Sequence, residues 1–137
     1  MIMKLTKKDV LSYAVIIGFA LSIVIWALID KKKLEKNHRL STGRVISYSS
    51  GGRGNGGGLD IDYVFRINNI QYNGSTAFLT SEISFLNAAN LLGKSFPVVY
   101  YVNNPSNSII LIKKKDFERF GYTFPDSLKW ASKYFKE

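Results

Sequence analysis

Cysteine is absent from this sequence of 137 residues, and histidine occurs once, as His38. The lack of cysteine excludes disulfides, thiolate nucleophiles and thiolate-ligated metal sites. His38 lies in a polar stretch that we expect to be a spacer outside the folded domain, so no base for nucleophilic catalysis is predicted. Asp60 and Asp62 share a strand face, but two carboxylates are too few for a metal cage. No catalytic residue, cofactor site or metal site is predicted.

Acidic residues are also scarce, because 10 Asp and Glu stand against 19 Lys and Arg, a formal net charge of +9. A balance of this size favours anionic partners. Much of the charge lies in two short runs, residues 31–33 and 113–115. The basic residues are not interleaved with aromatic residues on one platform, so nucleic acid is not predicted as a partner. The clustering favours a membrane surface.

Charge is missing altogether from one long stretch, residues 10–29, which begins at Val10, passes through Gly18 and ends at Ile29. About 20 apolar residues are what an α-helix needs to cross a hydrocarbon core of roughly 30 Å. The Leu, Ile, Val and Phe side chains of this stretch outweigh the cost of Ser12 and Ser22. The sequence therefore predicts one transmembrane helix and a lipid bilayer as partner.

A cleavable signal peptide is the main alternative, because Lys4, Lys7 and Lys8 precede the apolar stretch. Signal peptides usually have an apolar region of about 7 to 15 residues and a small-x-small cleavage pattern. The stretch is longer, and the sequence from Trp26 to Asp30 lacks that pattern. These features favour an uncleaved anchor.

The orientation of the helix follows from the basic residues on its two sides. The C-terminal side is richer, which favours a domain in the cytoplasm at a bacterial inner membrane, while the basic N-terminal side favours the reverse. The residues predicted to contact the membrane surface are Lys31, Lys32, Lys33, Lys36 and Arg39.

Small residues recur at four-residue spacing within the predicted helix, at Ala14, Gly18 and Ser22. This spacing places them on one stripe, where a second helix can approach closely. The hypothesis is a homo-oligomer that forms through the helix. The alternative is that small residues are simply common in membrane helices.

The remaining chain predicts a tail at 1–9, a basic connector at 30–40, a small β-domain at 41–112 and a basic aromatic segment at 113–137. The connector either continues the helix or lies along anionic headgroups. A strand begins near residue 42, and the glycine-rich segment 51–58 is interpreted as a flexible hairpin loop. A phosphate-binding loop would be followed by a helix. Here Leu59, Ile61, Tyr63 and Phe65 alternate with polar or smaller residues, which is the two-residue period of a half-buried strand.

Further elements follow in the order turn, strand, helix, strand, turn, strand. Asn68 and Asn69 suit a tight turn, Ser81 suits a helix N-cap and Gly93 a helix stop. The predicted helix spans 83–92, the next strands span 96–102 and 109–112, and 103–107 is a turn. A last helix at 126–136 either packs on the sheet, which we favour, or lies on the membrane.

The predicted class is α+β, a transmembrane helix followed by a small, mainly antiparallel β-domain. We expect about five strands in a barrel or sandwich, one short inserted helix and a C-terminal helical segment.

A family resemblance rests on three stretches of this pattern. They are Gly43-Arg44-Val45, Asp62 to Phe65 with Tyr72-Asn73-Gly74, and Val99 to Pro105. The pattern resembles domain of unknown function 3592, whose members are mostly bacterial membrane proteins with a small β-domain after a transmembrane helix. Many members carry a second membrane helix, which is not predicted here. The resemblance implies no reaction, substrate or catalytic residue.

The predicted function is a membrane-anchored, non-enzymatic module that binds another protein, of an accessory or immunity type. The alternative is a sensor or binder of anionic membrane surfaces through the basic connector and the C-terminal segment.

Overall fold

The computed structural model describes residues 6–51 and 58–136, and the chain divides into two units, Met1–Lys33 and Leu34–Glu137. The first unit consists of most of helix α1 (Lys7–Lys36), whose last residues belong to the second unit. Thr6 caps the start of α1, because the Asp9 amide donates to Thr6 Oγ1 at 3.3 Å and the Thr6 amide donates to Asp9 Oδ2 at 3.0 Å. This reciprocal pair satisfies amides that have no partner inside the helix.

The second unit is a five-stranded antiparallel sheet with short helices, which confirms the α+β class. Its strands are β1 (His38–Gly51), β2 (Gly58–Ile67), β3 (Ile70–Leu79), β4 (Ser95–Tyr101) and β5 (Asn104–Ile110). Its helices are α2 (Phe85–Ala88), which continues into a 3₁₀ turn (Ala89–Leu91), α3 (Lys114–Arg119), and α4 (Lys129–Ser132) after a second 3₁₀ turn (Asp126–Leu128).

Strand β1 is the centre of the sheet, because it pairs with β4 from His38 to Arg44 and with β2 from Gly43 to Gly51. A Cβ atom on Gly43 would lie 2.5 Å from Val98 Cγ2, which is closer than real side chains come. Only glycine therefore allows β4 to approach β1 at this point.

The strand order β3-β2-β1-β4-β5 contains a Greek key, since β4, β1, β2 and β3 are neighbours in that order. The outer strands β3 and β5 lie close to each other, so the sheet is nearly closed into a barrel. A five-stranded, partly open Greek-key barrel is the architecture of OB-folds. Fold alone assigns no function.

The interior of the barrel follows the alternation that the sequence predicts for β2, because Leu59, Ile61, Tyr63 and Phe65 are all buried. Tyr63 lies opposite Gly74 on β3, and its ring occupies the space that a side chain at Gly74 would need. Burial raises the pKa of the Tyr63 phenol above its ordinary value, even though its hydroxyl lies 3.0 Å from Ser108 Oγ. A neutral phenol therefore serves as a polar contact within an apolar interior.

Two predicted turns are confirmed by the backbone, since Asn68 and Asn69 have φ of 50° and 66° and Gly93 has φ of 72°. The predicted cap at Ser81 is wrong, because Ser84 accepts the hydrogen bond from the Asn87 amide and α2 begins only at Phe85. The chain needs the intervening residues to turn away from β3 before a helix can start.

Other boundaries also differ from the predicted ones. Residues 30–36 of the predicted connector continue helix α1, which is one of its two alternatives, and β1 begins at His38 instead of near residue 42. Strand β5 begins at Asn104, inside the predicted turn 103–107, because β4 and β5 are joined by a short turn at Val102 and Asn103. The predicted loop at 51–58 lies outside the described residues except for its two ends.

The C-terminal helix is shorter than predicted, because α4 ends at Ser132. Leu128 and Ala131 are buried in the core, and Phe135 pairs with Ile83 in an isolated β-bridge. This arrangement corresponds to the packing alternative, in which the segment covers the barrel.

The contact between Tyr63 and Gly74 generates a test of the barrel. We expect Gly74→Ala to lower the free energy of unfolding by about 1–3 kcal/mol, because its methyl group would overlap the fully buried Tyr63 ring. The matched control is Asn73→Ala, at the exposed neighbouring position, with an expected change within about 0.5 kcal/mol. Denaturant unfolding in detergent measures both, and equal effects would contradict the packing described.

Candidate functional site

From Val10 to Ile29, helix α1 is apolar on every side and none of its residues is buried. From Val10 to Ile29 its large apolar side chains are 45–69% exposed, and Leu34 is the only buried residue described in the helix. A helix that is hydrophobic all round is stable only inside a large core or inside a bilayer. This one helix is long and apolar enough to span a membrane.

The polar side chains of α1 are satisfied by the helix itself. Ser12 Oγ donates to the Lys8 carbonyl at 3.0 Å, and Ser22 Oγ donates to the Phe19 carbonyl at 2.7 Å. Such internal hydrogen bonds remove most of the cost of placing a hydroxyl among lipid tails.

The small residues Ala14, Gly18 and Ser22 lie at four-residue intervals along α1. A Cβ atom on Gly18 would meet nothing within 4 Å. Self-association through this stripe stays a prediction.

The basic residues around the end of α1 outnumber the acidic ones, and the acidic ones are paired. Lys33 Nζ lies 3.9 Å from Asp30 Oδ1, and Arg119 Nε lies 2.8 Å from Glu35 Oε1. The predicted surface-contacting residues without a carboxylate partner in the described part of the chain are Lys31, Lys32, Lys36 and Arg39. These four side chains keep their positive charge available for an anion.

His38 is part of the folded domain, so its expected place in a spacer is wrong. Its Nδ1 lies 3.1 Å from the Leu34 carbonyl oxygen and its Nε2 lies 3.0 Å from the Tyr122 hydroxyl. A carbonyl oxygen only accepts, so Nδ1 donates to it, and Nε2 lies within hydrogen-bond distance of the Tyr122 hydroxyl. His38 therefore caps the end of α1 and joins it to the C-terminal segment, a role that sequence spacing does not reveal.

A second candidate surface is an apolar patch on the barrel, formed by Ile46, Tyr48, Phe85, Leu86 and Leu92. The Tyr48 and Phe85 rings meet edge to face with centroids 4.7 Å apart. The exposed fractions are 48% for Ile46, 51% for Phe85, 83% for Leu86 and 41% for Leu92. Neighbouring exposed apolar side chains of this size are typical of interaction sites.

Two local features create this apolar patch. The register of β1 against β2 shifts between Val45 and Ser47, and this bulge leaves Ile46 exposed. The Gly93 amide donates to the Val45 carbonyl at 2.9 Å, which brings the chain after α2 back to the bulge.

Sequence reasoning missed the apolar patch because it treated residues 83–92 as a helix with one apolar face. The helix is a single turn followed by a 3₁₀ turn, so only Ala88 and Leu91 point into the core. The adjacent pair Phe85 and Leu86 is the available signal, because a short surface helix cannot bury both.

The C-terminal segment is held on the barrel by Lys113, which forms an ion pair with Glu82. The Lys113 ammonium also lies 5.3 Å from the centre of the Phe78 ring. Partial burial alone would raise the pKa of the Glu82 carboxyl. The hydrogen bonds from Lys113 and the Leu79 amide and the positive charges of Lys113 and Lys115 outweigh it, so the pKa lies below its ordinary value.

Metal-ligating side chains are dispersed in this molecule. Within residues 6–51 and 58–136, no group of three His, Cys, Asp or Glu side chains is placed to hold a metal ion. Asp62 accepts a hydrogen bond from Ser47 Oγ at 2.8 Å, and both carboxylates of β2 are partly exposed.

Comparisons with protein-family models, with curated proteins and with solved structures find no match to this chain. The resemblance to domain of unknown function 3592 stays a prediction.

The depressed pKa of Glu82 generates a pH-dependent test. A carboxyl whose pKa is lowered on folding stabilises the protein above its unfolded pKa and loses this effect as the pH falls through the folded pKa. We expect Glu82→Gln to lower the Tm by roughly 2–5 °C near pH 7, and we expect the difference from wild type to shrink below the ordinary value of 4.5.

The control for this test is Glu118→Gln, which removes an exposed carboxylate whose partner is Lys114 at 3.7 Å. Thermal unfolding followed by circular dichroism in detergent at several pH values measures both variants. A Glu82→Gln difference that is the same at pH 7 and pH 3 would contradict the ion-pair explanation.

Proposed function

We propose that this protein is a single-pass membrane protein whose barrel is a non-enzymatic module that binds another protein. The observation that carries the membrane part is the uncovered apolar surface of α1 from Val10 to Ile29. The observation that supports the binding part is the apolar patch, which lies on the separate, well-packed barrel unit.

Insertion of α1 into a bilayer is supported by its composition. Each Leu, Ile, Val or Phe near the centre of a membrane helix favours insertion by roughly 0.3–0.6 kcal/mol, which sums to several kcal/mol over this stretch. Backbone groups are satisfied within the helix, as a hydrocarbon environment requires. Trp26 and the basic residues that follow suit the interface at one end.

We further propose a bacterial inner membrane with the barrel on the cytoplasmic side. The support is the larger number of Lys and Arg residues after the helix than before it. The resemblance to domain of unknown function 3592, proposed as the family, agrees with this location. Gly43 and Gly74 are part of the stretches that carry the resemblance. A side chain at Gly43 would collide with Val98, and a side chain at Gly74 would collide with Tyr63.

The partner that suits the apolar patch is a membrane-associated protein with an apolar pocket and an acidic surface. Leu86 projects from the patch, so the partner has to supply the concave surface. The net charge of +9 favours an acidic surface around that pocket. Confinement of both proteins to one bilayer raises their effective concentration, so a small patch is sufficient for association.

A charged residue at the centre of the span tests the anchor. We expect wild-type protein to stay in the membrane pellet after alkaline carbonate extraction, with its N-terminal segment intact by mass spectrometry. Phe19→Lys should reduce the pelleted fraction, because a lysine at that depth costs about 2.5–3.5 kcal/mol. Phe19→Leu is the matched control and should behave as wild type. Wild-type protein that is released by carbonate would refute the anchor.

A charge within the apolar patch tests partner binding. Photo-crosslinking from position 86 in intact cells should give one discrete adduct, and Leu86→Glu should reduce co-purification of that partner at least tenfold. Leu40→Glu is the matched control, because Leu40 is 46% exposed on the barrel but lies outside the apolar patch. Retention of the partner by Leu86→Glu, or equal losses in both variants, would count against the proposal.

A second candidate function is binding of an anionic membrane surface. It is favoured by the four cationic side chains near the end of α1 that have no carboxylate partner among the described residues. Each such residue near an anionic bilayer contributes roughly 1 kcal/mol. This function depends on lipid charge and weakens with salt, whereas the apolar contacts of the patch do not depend on lipid charge.

A further inference from the structure

An open cleft of about 620 Å³ crosses the outer face of the barrel where β4, β1 and β2 lie side by side. It belongs to neither the apolar patch nor the end of α1. The polar side chains that line it are Ser41, Thr42, Arg44, Arg66, Gln71 and Ser95. We call this feature the arginine cleft.

The two arginines are close together in the sheet. Arg44 of β1 pairs directly with Val64 of β2, so Arg66 occupies the diagonal position. Diagonal neighbours on one sheet face are within reach of each other when their side chains are long. Both arginines are exposed, and within residues 6–51 and 58–136 neither guanidinium forms an ion pair.

The arginine cleft has no carboxylate among its lining residues. The nearest acidic residue along β2 on this face is Asp62, which already accepts a hydrogen bond from Ser47. Two other basic side chains of the barrel do have carboxylate partners, because Arg119 is paired with Glu35 and Lys113 with Glu82. Two neighbouring positive charges that form no ion pair with the described residues create a positive potential, and an anion lowers their mutual repulsion.

Neutral hydrogen-bonding groups surround the two charges. Ser41 Oγ donates to the Arg66 carbonyl at 2.9 Å, which holds the backbone of Arg66 against β1. Thr42 and Ser95 present hydroxyl groups from neighbouring strands, and Gln71 presents an amide.

We propose that the arginine cleft binds a phosphate group, carried either by a soluble phosphoester or by a lipid headgroup. A guanidinium group donates two parallel hydrogen bonds to oxyanions, and its planar fork fits phosphate. A carboxylate has two oxygens and is satisfied by one arginine. Inorganic phosphate or a phosphomonoester has four or three terminal oxygens and carries more charge, so it uses both arginines and the hydroxyl groups together. A lipid phosphodiester has two terminal oxygens and one charge, and its tetrahedral phosphorus directs them to two different donors.

The test uses the full chain, labelled with nitrogen-15, in nanodiscs of zwitterionic lipid. Inorganic phosphate is titrated at constant ionic strength, and the arginine Nε resonances are followed by NMR, with acetate as the comparison anion. We expect phosphate to shift these resonances in a saturable manner. The apparent affinity for phosphate should fall at least tenfold after Arg44→Gln or Arg66→Gln. Arg66→Lys keeps the charge but loses the planar fork, so its apparent affinity for phosphate should lie between those of wild type and Arg66→Gln.

The matched control is Lys94→Gln, which removes one exposed positive charge immediately before β4; Lys94 lies outside the arginine cleft, and its ammonium lies 6.0 Å from the centre of the Trp130 ring. We expect the apparent affinity of this variant for phosphate to differ less than twofold from that of wild type. All variants alter exposed side chains, so their Tm should equal that of wild type and confirm that they fold.

A second arm replaces part of the lipid with phosphatidylglycerol and adds no phosphate. Arginine shifts that appear here and disappear in Arg44→Gln identify a lipid headgroup as the source. Shifts only with inorganic phosphate identify a soluble ligand. The proposal is overturned if acetate acts as strongly as phosphate, if Lys94→Gln is as damaging as Arg44→Gln, or if neither arm gives saturable shifts. None of these outcomes depends on the apolar patch.

Discussion

The pairing of one strand on both of its edges is the constraint on which the barrel depends. Strand β1 joins β4 along its first half and β2 along its second, and Gly43 belongs to both ladders. Val98 of β4 fills the space where a side chain of Gly43 would lie. This close approach lets β4 and β5 curve back towards β3, so the apolar side chains of all five strands share one interior.

The outer face of the same strand carries the surfaces to which we assign binding. Arg44 lies directly after Gly43 and points into the arginine cleft, while Ile46 sits at the bulge and belongs to the apolar patch. A bulge changes the alternation of inward and outward residues, so a polar surface and an apolar surface occur a few residues apart. Binding surfaces on rigid strands keep their geometry without help from a ligand.

The rest of the second unit closes the barrel through contacts that are distant in sequence. His38 joins the Leu34 carbonyl to Tyr122, Arg119 pairs with Glu35, and Lys113 pairs with Glu82. Each of these side chains has apolar neighbours, such as Phe120 beside His38 and Phe78 beside Lys113. The C-terminal segment is therefore part of the core and is not a free basic tail.

The sequence by itself determined the features that depend on neighbouring residues. The uncharged stretch from Val10 to Ile29 predicts a membrane-length helix, the alternation along β2 predicts its buried face, and Asn68 and Asn69 predict their turn, because length, period and turn chemistry are local. Tertiary structure alone decided the partners of His38 and Glu82, the exposure of Phe85 and Leu86, and the placement of Arg44 and Arg66 in one cleft. These depend on strand register and on where a helix starts, and register is set by packing among residues that are far apart in the chain.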